Sequence, residues 1–248
     1  LAKSPKHDNP IIAALNKPME QFAPFLFVLF AILVIVLAVV GFLQSARRKK
    51  ELEAWAHANG FRFHPESDYS LDERYPDFSC LRQGSRRYGY HFVEGTRKGR
   101  NLRAFDYHYE TYSSNSKGGR QTHHHYFSAV ILRAPLPLKP LFIRPEGFFD
   151  KITEFLGFDD IDFESDEFSR TFYVKSPDKR WAFDVIHQET MEFLLAAPRF
   201  TMEFSNQDII IYRAGTFTIS DFENAIGVVE GILDRFPEYL LRELKGEN

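Results

Sequence analysis

The chain has 248 residues and a formal net charge of −3, with 26% charged and 44% hydrophobic residues, which suffices for a packed core and excludes wholesale disorder. A single cysteine, Cys80, excludes an internal disulfide framework and a cysteine-rich zinc or iron–sulfur centre. No Walker loop, G-x-G-x-x-G, G-x-S-x-G or H-E-x-x-H occurs, so the sequence favours a non-enzymatic role and names no reaction.

Residues 1–21 form a short polar-to-mixed N-terminus, and residues 22–46 carry no formal charge. The apolar run FAPFLFVLFAILVIVLAVVGFL, Phe22–Leu43, would span about 33 Å as a helix, against a hydrocarbon layer of about 30 Å. Backbone polar groups in lipid must be satisfied within the segment, so a single span has to be helical. Pro24 is placed in the first turn, where a missing N–H costs least. Arg47, Arg48, Lys49 and Lys50 follow directly. As candidate ligands of lipid headgroups they put the N-terminus outside and the C-terminal part in the cytoplasm of a single-pass inner-membrane protein.

The remainder, 47–248, reads as one cytoplasmic α+β domain, a mostly antiparallel sheet with flanking helices. Its charge is partitioned. The basic half, 47–144, carries 18 basic and 10 acidic residues, and the acidic half, 145–248, carries 10 basic and 22 acidic. Either the bilayer draws the first half, or the halves attract each other across a shared core.

The membrane helix is expected to continue to Asn59–Gly60. Strands are predicted at Phe61–His64, Arg87–Glu94, Leu102–Tyr112 and Thr122–Arg133, and Pro135, Pro137, Pro140 and Pro145 mark a stiff crossing. Phe148–Leu156 is predicted as a short helix, Phe168–Lys175 as a strand, and Pro177 to about Leu195 as a helix. Phe200–Phe204 and Ile209–Arg213 read as a hairpin about Ser205–Asp208. Ser220 with Glu223 reads as the capping box of a last helix that buries Ile226, Val229, Ile232, Leu233 and Phe236.

The run His123–His124–His125 follows Gly118–Gly119. A two-residue turn at these glycines would place Glu110, His123 and His125 on one strand face, a nitrogen/oxygen donor set suited to zinc. The competing reading is a solvated strand face that needs no cofactor. The acidic run Asp159–Glu167 fails the calcium-loop pattern, since positions six and twelve counted from Asp160 are Ser165 and Thr171. Arg82, Arg86, Arg87, Arg97, Lys98, Arg100 and Arg103 interleave with Tyr88, Tyr90 and Phe92. Beside a membrane span, phospholipid is a simpler partner for such a segment than nucleic acid, which is not expected as a partner.

The succession FDYHYETY, RQTHHHYFSAVILR, IRPEGFFDKITEFLGFDDIDFESDEFSRTFYVKSPD and IIIYRAG, from Phe105 onward, resembles an uncharacterised family of bacterial single-span membrane proteins. The resemblance covers most of residues 61–215. It implies a membrane location and a cytoplasmic α+β domain, and no activity. The triple histidine departs from that family's pattern of one His after Gln-Thr. The reading is therefore a membrane-anchored interaction or scaffold domain with a protein partner at the bilayer. The alternatives are a metal-dependent hydrolase on the His/carboxylate hairpin face and a sensor of anionic lipid.

Overall fold

The computed structural model describes residues 10–114, 118–147 and 160–247, with side chains from residue 24 onward. Two compact units emerge, Leu1–Lys50 and Glu51–Asn248. Helix α1, Pro10–Ala58, supplies the first unit and the opening turns of the second. Its segment from Pro24 is long and apolar enough to cross a membrane, and none of its apolar window is buried. Phe25, Phe27 and Phe42 are among its most exposed side chains. A helix that is apolar all round and covered by no protein calls for a lipid environment. The helix starts earlier than the sequence suggested: Pro10 takes the first-turn place, and Pro18 and Pro24 lie inside it, each withdrawing one N–H from the ladder. It stops where expected. Gly60 takes a left-handed φ of +70°, and the Phe61 N–H closes on the Ala56 carbonyl at 2.8 Å.

The second unit is a six-stranded antiparallel sheet with helices beside it. The strands are β1 (Arg62–His64), β2 (Ser85–Arg97), β3 (Arg100–Ser114), β4 (Arg120–Pro145), β5 (Phe172–Lys175) and β6 (Thr201–Ala214). They pair in the order β1-β2-β3-β4-β5, with β6 along the other edge of β4. Helix α2 (Leu71–Arg74) and a 3-10 turn, Ser79–Arg82, precede β2. Helix α3 (Asp166–Thr171) leads into β5, and α4 (Lys179–Val185) and α5 (Gln188–Ala196) lie between β5 and β6. Helices α6 (Ile219–Leu233) and α7 (Glu238–Lys245) close the chain.

Side chains on the two faces of the sheet build two cores. One gathers Val130, Leu132, Ile209 and Ile211 with Phe222 and Ile226 of α6 and Leu52, Trp55 and Ala56 of α1. The other gathers Phe105, Tyr107, Ile131 and Ile210 with Leu71, Phe78, Cys80 and Leu81. The Cys80 thiol is fully buried, and burial beside Glu203 pushes its pKa well up, so it is inert.

Close packing has consequences that single residues report. Phe61 lies edge-on to Trp55 and against Gly95, where an added Cβ would come within 2.1 Å of the Phe61 ring. Gly95→Ala is therefore expected to destabilise the domain by about 1–3 kcal/mol, measured as a lowered thermal midpoint. An unchanged midpoint would show that the ring moves aside freely.

The charge halves pack together. Lys98 and Gly99, with φ of +48° and +73°, form a two-residue turn between β2 and β3. This tip rests on α6, with Arg97 paired to Glu223, Lys98 to Glu230 at 3.0 Å, and Arg100 to Asp234 at 3.1 Å. Arg87 pairs with Asp72 and Arg103 with Glu94. Much of the basic stretch is thereby engaged within the protein.

Several elements differ from the sequence reading. Residues 168–175 are the end of α3 and then β5, because Ser165 caps Phe168 and starts a helical turn. The helix predicted from Pro177 breaks at Ile186–His187, where backbone angles leave the helical region and the His187 ring meets the Arg235 carbonyl. The hairpin predicted at 200–213 is the single strand β6. Ser205 and Asn206 sit in an irregularity instead of a turn, Asn206 at φ +53°, and both donate to Asp77 at 2.8 Å. The prolines of β4 face this irregularity, since Pro135 and Pro137 carry no N–H and the register with β6 jumps between Arg133 and Leu138. The last helix is capped by Thr218 with Asp221, not by Ser220 with Glu223, whose carboxylate is taken by Trp55 and Arg97. Helix α7 has no counterpart in the sequence reading. The short helix predicted at Phe148–Leu156 lies outside the described residues.

Candidate metal site on the β3–β4 hairpin

Strands β3 and β4 pair in strict alternation from Leu102↔Leu132 to Ser114↔Arg120. The sequence reading paired residue i with 237 − i, whereas the observed sum is 234, since β3 ends at Ser114 and β4 starts only at Arg120. A shift by an odd number turns every side chain of one strand to the other face. Glu110 therefore stands opposite His124, and His108 opposite Tyr126. His123 and His125 fall on the reverse face, where their Nε2 atoms meet Ser113 Oγ and Thr111 Oγ1, each at 2.7 Å, and His125 stacks on Tyr109. The set His123, His125 and Glu110 is not assembled, and Glu110 gathers His108 and His124 instead.

The assembled cluster is close-set. His108 Nε2 lies 3.1 Å from His124 Nδ1, and His124 Nδ1 lies 3.7 Å from Glu110 Oε1. One donor atom from each of the three residues falls within 4.8 Å of the others. His108 and Glu110 are only 4% and 5% exposed, while His124 is open to solvent. His108 is held between Tyr88 and Tyr126, with ring centroids at 4.8 and 4.9 Å. Burial lowers its pKa, the Arg86 backbone opposing, so at neutral pH the ring is uncharged and offers a lone pair.

Glu110 is positioned through its second oxygen. Tyr112 donates its OH to Oε2 at 3.0 Å, and the Arg86 Nε stands 3.7 Å away. The Arg120 guanidinium lies over the Tyr112 ring at 3.4 Å, and Ser85 donates to the Tyr112 oxygen. Arg86 owes its place to a bulge in β2, where its φ is +50° and the register slips between Ser85 and Tyr88. Gly84 sits so close beneath β3 that a Cβ would come within 2.2 Å of the Glu110 carbonyl. Beside the cluster lies a shallow cleft of about 390 Å³ lined by Arg86, Glu110, Tyr112, Arg120, Thr122 and His124. Two histidine nitrogens, a carboxylate oxygen and an open side form a donor set that suits zinc. Sequence reasoning missed His108, His124 and Tyr112 because it took the shortest loop. The alternation of the strands would have supplied the set from a loop of odd length.

A Ser, a His and an Asp also meet elsewhere, without a nucleophile's geometry. Ser128 Oγ donates to Asp106 Oδ1 at 2.5 Å, His91 Nδ1 lies 3.1 Å from Oδ2, and Ser128 Oγ accepts the Phe217 N–H at 2.9 Å. The carboxylate stands between serine and histidine, so the imidazole has no access to the hydroxyl proton. All three residues are buried, and their bonds tie β2, β3 and β4 to the segment that leads into α6. Asp160, from the acidic run, accepts the Ile161 and Val174 N–H groups and fastens that segment to β5.

Arg47 to Lys50 lie on α1 directly after its apolar segment, with Arg47, Lys49 and Lys50 exposed.

No family model matches the chain, and no curated protein sequence matches it. Among solved structures, the crystal structure of the mycobacterial trehalose monomycolate transport factor A, TtfA, is similar over 76% of this chain and 96% of that chain. The TM-score is 0.52 at 11% sequence identity, which makes the likeness one of fold alone.

Proposed function

We propose that the chain is a membrane-anchored interaction domain: one lipid-embedded helix tethers an α+β unit that holds a protein partner at the bilayer. The carrying observation is the apolar surface of α1, exposed all round over the segment that follows Pro24. Burying such a side chain is worth about 1.5–3 kcal/mol, so the sixteen large apolar side chains exposed from Phe25 to Leu43 are not stable in water. The α+β unit supports binding over catalysis, because its Ser/His/Asp arrangement is buried and its lone thiol is inert. The similar solved structure is that of a transport factor, so an accessory role in a transport apparatus is one form this interaction would take. Arg47, Arg48, Lys49 and Lys50 would meet anionic headgroups and hold the α+β unit on the cytoplasmic side of the inner membrane. Docking of the basic half on lipid is the weaker reading, because Arg97, Lys98 and Arg100 already face α6 carboxylates.

The test is proximity labelling in intact cells with a ligase fused to the C-terminus of the full chain. The control is a fusion that carries only residues 1–50. The expected result is membrane-extracted protein that resists alkaline wash, together with cytoplasm-facing partners labelled by the full chain and not by the control. Release by alkaline wash would remove the anchor, and identical labelling by both fusions would remove the interaction role.

A further inference from the structure

We propose that His108, Glu110 and His124 bind one zinc ion, with its fourth position open to the cleft rimmed by Arg86 and Arg120. In a tetrahedral site with zinc–ligand distances of about 2.0–2.1 Å, neighbouring ligand atoms stand about 3.3 Å apart. The two separations that bear on this, 3.1 Å between the imidazole nitrogens and 3.7 Å from His124 Nδ1 to Glu110 Oε1, bracket that value. The donor types exclude the hard cations as the preferred occupant, since calcium and magnesium take oxygen shells and two of these three ligands are imidazoles.

The surroundings fit a zinc site in three further ways. The Tyr112 OH and Arg86 hold Oε2, while Oε1 stands 3.7 Å from His124 Nδ1. Outer partners of this kind orient a ligand and raise its affinity. The Arg86 backbone stands beside the buried His108 ring, which is held between Tyr88 and Tyr126 with its Nε2 toward His124. Two neutral imidazoles and one carboxylate leave a bound Zn²⁺ with a net charge of +1. Arg86 and Arg120 add positive charge at the same opening, so the fourth ligand would be anionic: hydroxide, a carboxylate or a phosphate oxygen. The site does not depend on the anchoring role and stands or falls separately from it.

The experiment uses the full chain in detergent micelles, purified without a histidine tag and dialysed against buffered Zn²⁺ alone, with metal counted by mass spectrometry. The wild type is expected to hold about one equivalent, and His124→Ala and Glu110→Gln below about a tenth. His123→Ala and His125→Ala, on the reverse face, should keep about one equivalent. Tyr112→Phe should retain the site with roughly tenfold weaker affinity. His124 is exposed, so His124→Ala should fold, and its thermal midpoint without metal serves as the check. Less than a tenth of an equivalent in the wild type would overturn the site. So would zinc retained by His124→Ala, and so would equal loss in His123→Ala or His125→Ala, the signature of binding to the histidine run.

Discussion

Glu203→Ala is expected to lower the unfolding free energy by about 3–5 kcal/mol. Glu203 projects from β6 into the core and is 5% exposed. Its carboxylate accepts the Ser79 N–H at 2.7 Å, the Ser79 hydroxyl at 2.9 Å, the Cys80 N–H at 3.2 Å and the Tyr212 OH at 3.0 Å. Alanine would leave these buried donors unpaired and would release the 3-10 turn that carries Cys80 and Leu81 under the sheet. Each orphaned donor costs about 1–3 kcal/mol, with relaxation recovering part of the sum. Denaturation of the full chain in detergent, followed by near-ultraviolet dichroism, reads the effect. A loss below about 1 kcal/mol would mean that water replaces the carboxylate.

The same residue gives stability a pH dependence with a definite sign. Burial pushes the Glu203 pKa up from 4.5, and the hydrogen bonds from Ser79, Tyr212 and Cys80 only partly oppose it. Between 4.5 and the raised value the folded chain keeps a proton that the unfolded chain has released. Stability from this group is therefore fully present below 4.5 and is lost as pH rises through the folded-state value. The wild type minus Glu203→Gln difference isolates this term from carboxylates such as Asp68 and Asp221, which are held low and act in the opposite sense at acid pH. A difference independent of pH would mean that the carboxylate stays ionised throughout.

Trp55→Ala is expected to cost a similar amount, about 3–5 kcal/mol. Trp55 stacks on Phe222 at 5.4 Å and meets Phe61 edge-on at 5.9 Å, and its Nε1 donates to Glu223 at 2.7 Å. Burial raises the Glu223 pKa, but the bonds from Arg97 and Trp55 outweigh it and hold the carboxyl below its usual range. Alanine removes the aromatic contact and one of these two donors. Trp55→Phe keeps one six-membered ring but loses the N–H and the rest of the indole, for about 1–3 kcal/mol. Thermal midpoints of the two variants read the effect, and a loss in Trp55→Ala no larger than in Trp55→Phe would show that the six-membered ring adds nothing to the packing.

Residues with local meaning could be read directly. The uncharged run Phe22–Leu43, the Asn59–Gly60 stop and the strands about Phe105 and Val130 follow from apolar length and from period two, because each depends on neighbours in the chain. The α+β class followed from the same patterns. The hairpin at Ser205–Asp208 misled because polar, turn-favouring residues also serve a strand irregularity when another element supplies partners, here Asp77. Ser220 and Thr218 offered the same capping chemistry, and the choice fell to the position that left Glu223 for Trp55 and Arg97.

The sequence by itself determined a segment long and apolar enough to cross a membrane, the two-faced strands and the fact that histidines and a carboxylate share a hairpin. Tertiary structure alone decided which histidines face that carboxylate. Register depends on the number of residues between two strands, and an odd shift exchanges the faces whatever the side chains are. It also decided that the basic and acidic halves neutralise each other, since the β2–β3 tip meets α6 only when the sheet is assembled. Distance through space, not along the chain, sets those energies.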